Sequence, residues 1–166
     1  MPIFKIITVP NPVLRKKSTE LDFKTIKPRE LNRLISGLIK TMLATDGVGL
    51  AAPQIGKNIR LAVINAKDGA FGIINPQITK KSFARELGQE GCLSVPGIFG
   101  QVKRHKKITL TYRDQTGKKI KLTAVGLMAR VLQHEIDHLD GILFIDKAIK
   151  IENENKEKSQ LVIASD

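Results

Sequence analysis

The sequence contains no tryptophan, one tyrosine and one cysteine in 166 residues. A single cysteine cannot form a disulfide within the chain, and this usage is typical of a reducing compartment, where a thiolate survives as a metal ligand. The apolar runs are far shorter than the ~20 residues that span a bilayer, and the first residues lack the charged-then-apolar pattern of a signal peptide. We therefore expect a cytoplasmic protein that makes no contact with a membrane.

Acidic residues are also scarce. The chain has 16 Asp and Glu against 28 Lys and Arg, a formal net charge of +12, which favours attraction to polyanions. The clearest basic cluster covers 103–107, and we expect His105 within it to be solvated rather than to bind a metal. Because aromatic side chains on which bases could stack are few, two interpretations stay open: a solvated basic surface, or a weak contact with RNA.

The length of the chain and its hydrophobic content of 42% are typical of a single domain with its own core. We expect one domain over residues 1–150 and a polar C-terminal tail over residues 151–166. Within the tail, residues 152–158 would form a frayed helix end or a mobile segment, because they are almost entirely charged or amide side chains.

Apolar periodicity predicts two helices. The first begins near Pro28, which suits a first helical turn, and its apolar stripe continues to Leu43 before the Asp-Gly pair at 46–47 ends it. The second covers about 125–139, where apolar residues recur at steps of three and four, and Gly141 supplies the stop signal.

Between the helices, β-branched and alternating apolar residues predict strands at 59–65, 71–78, 102–113 and 118–124. Residues 114–117 would form a hairpin loop between the last two. The order of one helix, several strands and a second helix predicts an α+β fold, in which a sheet packs against the second helix.

The second helix carries the most informative motif, His134-Glu135-Ile136-Asp137-His138. Two histidines four residues apart lie on one helix face and can share a divalent ion, while Glu135 points near enough to reach a water at that ion. The alternative is a solvated helix whose histidines happen to be four apart. It is disfavoured because the surrounding segment is strongly apolar, and unpaired imidazoles would be costly to bury there.

A catalytic site of this kind needs a third protein ligand. Asp140 and Asp146 follow the motif too closely to return to the ion, and the acids from Glu152 onward lie in the polar tail. The upstream candidate is Cys92, which stands beside Gly91. A lone cysteine is more often a buried small hydrophobe, but an HExxH motif without a third ligand reverses that preference.

Three blocks in this order resemble the peptide deformylases, the metal hydrolases that remove the N-terminal formyl group from nascent bacterial proteins. They are Gly47-Val48-Gly49-Leu50-Ala51-Ala52-Pro53-Gln54, Glu90-Gly91-Cys92-Leu93-Ser94 and Gln133-His134-Glu135-Ile136-Asp137-His138. The match extends from about Pro10 to about Asp146. The resemblance implies a single catalytic domain of antiparallel sheets packed around a central HExxH helix, and an activity that releases formate from formyl-methionine.

The resemblance also implies a metal site. One divalent ion would be held by Cys92, His134 and His138. Ferrous iron is the metal of that family, although the same donors suit zinc, nickel or cobalt. Glu90 and Arg104 would pair and brace the loop that contains the cysteine.

Catalytic roles follow from the same resemblance. Glu135 would take a proton from the attacking water and deliver it to the departing amine. The side-chain amide of Gln54 and the backbone N–H of Leu93 would meet the negative charge that develops on the formyl oxygen. For the 47–54 block, the alternative is a tight turn that is required for its geometry alone.

Substrate contacts can be placed within or beside the matching blocks. Val48 and Leu127 would form the apolar slot for the methionine side chain, and Gly49 and Gly91 would pair their backbone with the peptide. Three further positions fall outside the tightest match: Ile98, Phe99 and Val131. For each of these residues the alternative is ordinary core packing.

The expected partners are formyl-methionyl nascent peptides, with a weak contact to ribosomal RNA through the basic surface. Two departures from the family are visible: Asn11 replaces an aspartate, and the C-terminal tail is short. Two rival functions are a zinc endopeptidase, disfavoured by the missing downstream ligand, and a basic ribosome-binding protein with an inactive metal site.

Overall fold

A computed structural model of the chain describes residues 3–153. Its helices are α1 (Pro28–Ala44) and α2 (Gly126–Leu139). Its strands are β1 (Gly49–Ala51), β2 (Leu61–Ala66), β3 (Gly69–Lys81), β4 (Arg85–Cys92), β5 (Val95–His105), β6 (Lys107–Arg113), β7 (Lys119–Val125) and β8 (Ala148–Asn153). Short 3-10 turns cover Pro12–Arg15, Ala52–Ile55 and Phe144–Asp146.

The strands form two antiparallel sheets, one of five strands in the order β1-β2-β3-β6-β7 and one of three in the order β4-β5-β8. The α+β class and the antiparallel sheets are therefore confirmed. Neither helix in the described residues is long and apolar enough to cross a membrane.

The five-stranded sheet lies between the two helices, which explains the unbroken apolar run of β2. Leu61 and Val63 pack in one cluster with α1, whereas Ala62 and Ile64 pack in another with α2. A strand that is covered on both faces loses the alternation of a half-exposed strand, because each side chain is buried whichever way it points. All four of these residues are fully buried.

Helix α2 is central, as predicted. It contacts β1, β2, β6 and β7 of the large sheet and β5 of the small one. Beyond it, Gly141 adopts φ +73°, and a Cβ there would lie 2.6 Å from the carbonyl oxygen of Arg15. The predicted stop therefore depends on glycine for both its left-handed backbone and its missing side chain.

One strand prediction is wrong. Residues 102–113 were expected as a single strand, but the chain breaks at Lys106, so that β5 belongs to the small sheet and β6 to the large one. The buried positions Val102 and Arg104 of β5 and Ile108 of β6 are all even-numbered, so the alternation keeps its phase across the break. A pattern with a period of two therefore could not reveal it.

The sequence patterns predicted no strand at β1, β4 or β8. β4 combines charged residues with two glycines and has no apolar stripe, and β1 has only three residues. At the C-terminus, β8 crosses the expected boundary at residue 150, so the frayed-helix prediction is wrong for Glu152 and Asn153. The rest of the predicted tail, 154–166, lies outside the described residues.

Candidate active site

Cys92, His134 and His138 meet where the end of β4 approaches α2. The Nε2 of His138 lies 3.2 Å from the Sγ of Cys92 and 3.2 Å from the Nε2 of His134. The three candidate ligand atoms lie within 4.8 Å of one another. The four-residue spacing on α2 and the turn after β4 thus bring together the three residues that the sequence predicted as ligands.

The donor set fits a transition-metal ion. One thiolate and two imidazoles suit zinc, iron, cobalt or nickel. The Nδ1 of His134 lies 2.9 Å from a carboxylate oxygen of Glu90, so its other ring nitrogen faces the cluster. Burial, together with the positive charges of His134 and Arg104, holds the pKa of His138 well below 6.5 and keeps that ligand neutral.

The pKa of His134 shifts in the opposite direction to that of His138. Burial lowers its pKa, but hydrogen bonds with Cys92 and Glu90 and nearby negative charge outweigh that effect and raise the pKa to about 10. A metal ion binding at its Nε2 therefore has to displace a proton.

Glu90 is the centre of a buried charge network behind the ligands. It is 6% exposed and accepts two hydrogen bonds of 2.9 Å from Arg104, one of 2.8 Å from Arg130 and the contact from His134. Burial opposes its ionisation, but the hydrogen bonds from His134 and Arg104 hold its pKa well below 4.5. The predicted pairing of Glu90 with Arg104 is confirmed.

The network continues through a residue that sequence analysis missed. Asp137 on α2 accepts a hydrogen bond from Arg104 and another, of 2.6 Å, from Lys147. Arg130 was missed as well. A signal for both existed, because a charged residue on the buried side of an apolar helix must find a partner. The sequence did not indicate which partner that would be.

Glu135 lies against β1 on the other side of the cluster. Its side chain is almost fully buried, at 3% exposure, and Oε2 has no hydrogen-bond partner among the described residues. Burial raises its pKa to about 7, which suits a group that accepts and returns a proton near neutral pH. Gly49 makes room for this carboxylate, since a Cβ there would lie 2.7 Å from Cδ of Glu135.

Gln54 occupies the 3-10 turn that follows β1. Its Oε1 accepts a hydrogen bond of 2.8 Å from the backbone N–H of Ala51, which leaves the Nε2 to point at the cluster. That nitrogen donates to the hydroxyl of Ser94 at 3.2 Å and lies 3.5 Å from the Sγ of Cys92. Ser94 is fully buried and was not singled out from the sequence.

A groove of about 590 Å³ opens in front of these groups. It is lined by nearly every residue that the sequence assigned to the site: Val48, Gly49, Gln54, Gly91, Cys92, Leu93, Leu127, His134 and Glu135. His138 is buried behind this lining. The three less certain positions, Ile98, Phe99 and Val131, also line the groove.

The two apolar candidates lie at the rim rather than at the floor, since Val48 is 53% exposed and Leu127 is 70% exposed. Gly49 belongs to β1, an edge strand of the large sheet. Gly91 is close to Phe99, because a Cβ there would lie 2.9 Å from its ring. His105 is half-buried, lies 2.6 Å from the carbonyl oxygen of Ser82 through Nδ1, and does not belong to the cluster.

Comparisons with known proteins agree with this geometry. A family model described as polypeptide deformylase matches residues 3–154. The peptide deformylase of Syntrophomonas wolfei subsp. wolfei is 50% identical over 150 residues, which cover 90% of this chain and 96% of that protein. The peptide deformylase of Desulforudis audaxviator is 43% identical over 152 residues, with 91% and 97% covered.

Solved structures give the same result. The crystal structure of peptide deformylase from Thermotoga maritima superposes with a TM-score of 0.85 at 38% identity, covering 90% of this chain and all of that one. A peptide deformylase from Synechococcus elongatus in complex with actinonin gives 0.83 at 36% identity, with 96% and 84% covered. A Met-Ala-Ser-bound peptide deformylase from Acinetobacter baumannii gives 0.83 at 31% identity, with 87% and 98% covered.

Proposed function

The chain belongs to the peptide deformylase family, which removes the N-terminal formyl group from nascent polypeptides, and we propose a role for each residue of its groove in that reaction. The observation that carries the proposal is the convergence of Cys92, His134 and His138 in one groove with the amide of Gln54 and the carboxylate of Glu135. Family membership also rules against the two rival functions, an endopeptidase and an inactive ribosome-binding protein.

Cys92, His134 and His138 would hold one divalent ion, and we propose that this ion is ferrous iron. When bound, such an ion lowers the pKa of a water molecule and polarises a carbonyl oxygen. The donors do not select iron by affinity, since nickel, cobalt and zinc suit them as well. We further propose a cytoplasmic location, because a thiolate ligand with a ferrous ion persists only under reducing conditions.

Glu135 is the proton carrier. As water attacks the formyl carbon, its carboxylate accepts the proton that the water loses, and a tetrahedral species with a negatively charged oxygen forms. Glu135 then gives the proton to the nitrogen while the C–N bond breaks, which leaves formate and a free α-amine. Its burial, which raises the pKa of the carboxyl, supports this role.

Gln54 and Leu93 would stabilise the negative charge on that oxygen. The Nε2 of Gln54 is already aimed at Cys92 because the carbonyl of the same amide is held by Ala51. A donor that is oriented in advance costs no reorganisation when charge develops. The backbone N–H of Leu93, the residue after Cys92 on the groove wall, would be the second donor.

For the peptide, we propose that Val48 and Leu127 flank the methionine side chain. Gly49 and Gly91 would leave the backbone of both walls accessible, and an extended peptide could pair with the free edge of β1. The Met-Ala-Ser bound to the relative from Acinetobacter baumannii has the chemistry of a deformylated product, which makes formyl-Met-Ala-Ser a suitable substrate for this chain.

The test compares formyl-Met-Ala-Ser with acetyl-Met-Ala-Ser in an anaerobic assay of formate and acetate release, with metal content measured on the same sample. We expect formate from the first peptide and a much slower reaction with the second. Glu135→Gln should retain the metal and lose formate release, whereas Glu86→Gln, at an exposed position of β4, should behave as the wild type. Near-normal turnover by Glu135→Gln with a full metal site would contradict the role of Glu135.

We also propose that the positive charge of the chain makes a weak contact with ribosomal RNA through one face of the large sheet. Side chains of β3, β6 and β7 that point away from α2 form this outer face, and of these three strands α1 packs against β3. Its accessible members are Lys80, Lys107, Thr111, Arg113, Lys119, Lys121 and Thr123, whereas Thr109 on the same face is buried.

The charge on the outer face is uncompensated locally. β3, β6 and β7 contain no aspartate or glutamate. None of the five basic side chains forms an ion pair with a carboxylate within residues 3–153. Lysines beside the hydroxyls of Thr111 and Thr123 suit a phosphate backbone. None of these positions is aromatic, and the neighbouring ring of Phe23 already packs on Arg113, so we expect binding that is independent of sequence.

Co-sedimentation with ribosomes at several salt concentrations tests this contact. The triple variant Lys80→Glu, Lys107→Glu, Lys121→Glu should bind ribosomes more weakly. In a plot of the logarithm of the binding constant against the logarithm of the salt concentration, its slope should be less steep by roughly 0.7–0.9 for each phosphate contact that is lost. The control variant replaces three exposed lysines outside this face, at positions 16, 57 and 67, with glutamate, so that both variants have the same net charge. Equal loss in both variants would indicate only a general charge effect.

A further inference from the structure

Arg130 on α2 has a largely buried side chain that reaches across the site to β4 and β5. It lies four residues before His134, one turn earlier on the same face of the helix. Its Nη1 donates to Oε1 of Glu90 at 2.8 Å and to the carbonyl oxygen of Val102 at 2.9 Å. The same nitrogen lies 3.3 Å from the carbonyl oxygen of Gly88.

The other terminal nitrogen extends these contacts along β4. Nη2 of Arg130 donates to the carbonyl oxygen of Glu86 at 2.9 Å. Gly88 and Val102 are directly opposite each other in the register of β4 and β5. One guanidinium therefore binds backbone carbonyls of two paired strands together with a carboxylate, a combination that needs the planar fork of arginine.

Gly88 is independent evidence that the sequence accommodates the guanidinium at this position. A Cβ at Gly88 would lie 2.7 Å from Nη2 of Arg130 and 2.8 Å from its Cζ. The backbone of Gly88 is not in the left-handed region, so glycine is not needed there for its conformation. It is needed because the guanidinium lies over the strand.

These contacts connect the two elements that carry the metal ligands. Cys92 ends β4, and His134 lies on α2. Glu90 receives Arg130 on Oε1 and His134 on Oε2, so two groups one helical turn apart bind the two oxygens of one carboxylate. Arg104 on β5 donates hydrogen bonds to the same carboxylate, but it makes none of the contacts to the backbone carbonyls of β4.

We propose that Arg130 is a positioning residue that holds the cysteine-bearing strand β4 at its correct distance from α2 and thereby sets the metal affinity of the site. This inference rests on the proposed metal site of Cys92, His134 and His138. Groups that orient metal ligands without touching the ion typically change metal affinity by roughly 10–100-fold when they are removed. A loss of that size is expected here, because Arg130 acts on the strand and on His134 at once.

The experiment measures release of cobalt from the cobalt-loaded enzyme to an excess of chelator, together with its visible absorption spectrum. Arg130→Met keeps the bulk of the side chain and removes its donors, so we expect release about 10–100-fold faster and a shifted spectrum. Arg130→Lys should be intermediate, because a single ammonium cannot serve Glu90 and the carbonyls of β4 together. Release within twofold of wild type in both variants would overturn the proposal.

Gly88→Ala gives a second route to the same effect with Arg130 intact. The added methyl group would push the guanidinium off the strand, so release should accelerate in the same direction. The double variant Gly88→Ala, Arg130→Met should release cobalt no faster than Arg130→Met alone, because both changes disrupt the same interaction, that of the Arg130 guanidinium with β4. Additive effects would show that the two residues act separately and would overturn the link between them.

Arg60→Met is the matched control. Arg60 also ties α2 to the large sheet, through the carbonyl oxygens of Leu139 and Pro76 and the carboxylate of Asp140, but it touches neither Glu90 nor β4. We expect a comparable loss of unfolding free energy with cobalt release within about twofold of wild type. If Arg60→Met accelerates release as much as Arg130→Met, the effect is a general loosening of α2 and the proposal is wrong.

Cobalt binding by the wild type and cobalt release by the variants test the metal site and the role of Arg130 separately. Wild-type enzyme that binds no cobalt would contradict the metal site itself. Wild-type enzyme that binds cobalt while the variants at positions 88 and 130 release it normally would contradict only the role of Arg130. Should Arg130→Met not fold, Arg130→Lys and Gly88→Ala decide the question, since neither removes the charge.

Discussion

Gly49→Ala should separate the catalytic role of Glu135 from the integrity of the metal site. The ideal Cβ at position 49 lies 2.7 Å from Cδ of Glu135, 2.8 Å from its Cγ, and closer still to one carboxylate oxygen. Because three atoms of one side chain collide at once, a rotation that relieves the clash has to move Cγ, Cδ and the oxygen together, and it takes the carboxylate away from its position. Either the carboxylate leaves its position or β1 moves away from α2.

The size of the effect follows from the distances. Ordinary carbon contacts begin at 3.4 Å, so Cδ has to retreat by about 0.7 Å and the oxygen by more. Glu135 is 3% exposed and has little free space into which to move. A displacement of about 1 Å in a catalytic group costs about 10²-fold in rate. We therefore expect kcat to fall about 100-fold while the metal content stays the same.

The assay is formate release from formyl-Met-Ala-Ser, with metal content and urea unfolding measured on each variant. The control is Gly72→Ala, where a Cβ would lie 3.3 Å from the side chain of Ile35 on α1, far from Glu135 in the fold. That change should lower the unfolding free energy by about 1–3 kcal/mol, the usual cost of overpacking, without changing kcat per folded molecule.

Two results would refute this reasoning. One is near-normal kcat in Gly49→Ala, which would mean that the carboxylate is not needed at its present position. The other appears in the Glu135→Ala background: because the proton carrier is then absent, adding Gly49→Ala should cause almost no further loss in kcat. A further 100-fold loss there would show that Gly49 acts through the peptide or the sheet rather than through Glu135.

Three more predictions follow from the site. Gln54→Ala should lower kcat by about 10²-fold or more, since deleting one oxyanion donor usually costs that much. A variant in which only KM changes would show that Gln54 binds the substrate and does not stabilise the transition state. In the metal-free protein, the pKa of Glu90 lies below its unfolded value of 4.5, so its contribution to stability is present above that pH and is lost as the pH falls through the folded pKa. Urea unfolding of Glu90→Gln should accordingly show a weaker loss of stability on acidification than wild type, and equal slopes would contradict the pairing. Enzyme prepared without oxygen should contain iron and should lose activity in air. Nickel- and cobalt-loaded enzyme should stay active in air, whereas zinc-loaded enzyme should be slow. Equal kcat/KM for the zinc and iron forms, together with no effect of air on either, would show that this view of the metal is wrong.

Local sequence patterns predict the structure best where a single pattern is sufficient to define an element or a site. Apolar periodicity locates α1, which buries one face, and also α2, which keeps apolar residues at steps of three and four although it is buried on nearly every side. The four-residue spacing of His134 and His138 already fixes their relation on a helix. Cys92 was found by elimination, since the motif lacked a third ligand. These inferences need no knowledge of which strands pair.

Strand pairing is where local patterns were insufficient. The break at Lys106 keeps the alternation in phase, and β4 has no apolar stripe because its buried residue is Glu90, a charged one. Propensity favours apolar, β-branched residues in strands. A strand whose inward side chain is held by arginines rather than by hydrophobic contacts therefore resembles a loop until its partners are known.

The network around Glu90 explains why the supporting residues of the site are harder to foresee than its ligands. Arg104, Arg130 and Glu90 come from three elements, and each alone would be a costly buried charge. Removing one partner leaves the others uncompensated, so the network stabilises the native arrangement only when it is complete. The charge on Arg130 predicts that some carboxylate must lie nearby, but only the packing of α2 against β4 shows that this carboxylate also orients His134. The reactive residues can thus be recognised by their chemistry, whereas the residues that hold them in place are defined by long-range contacts that no local spacing encodes.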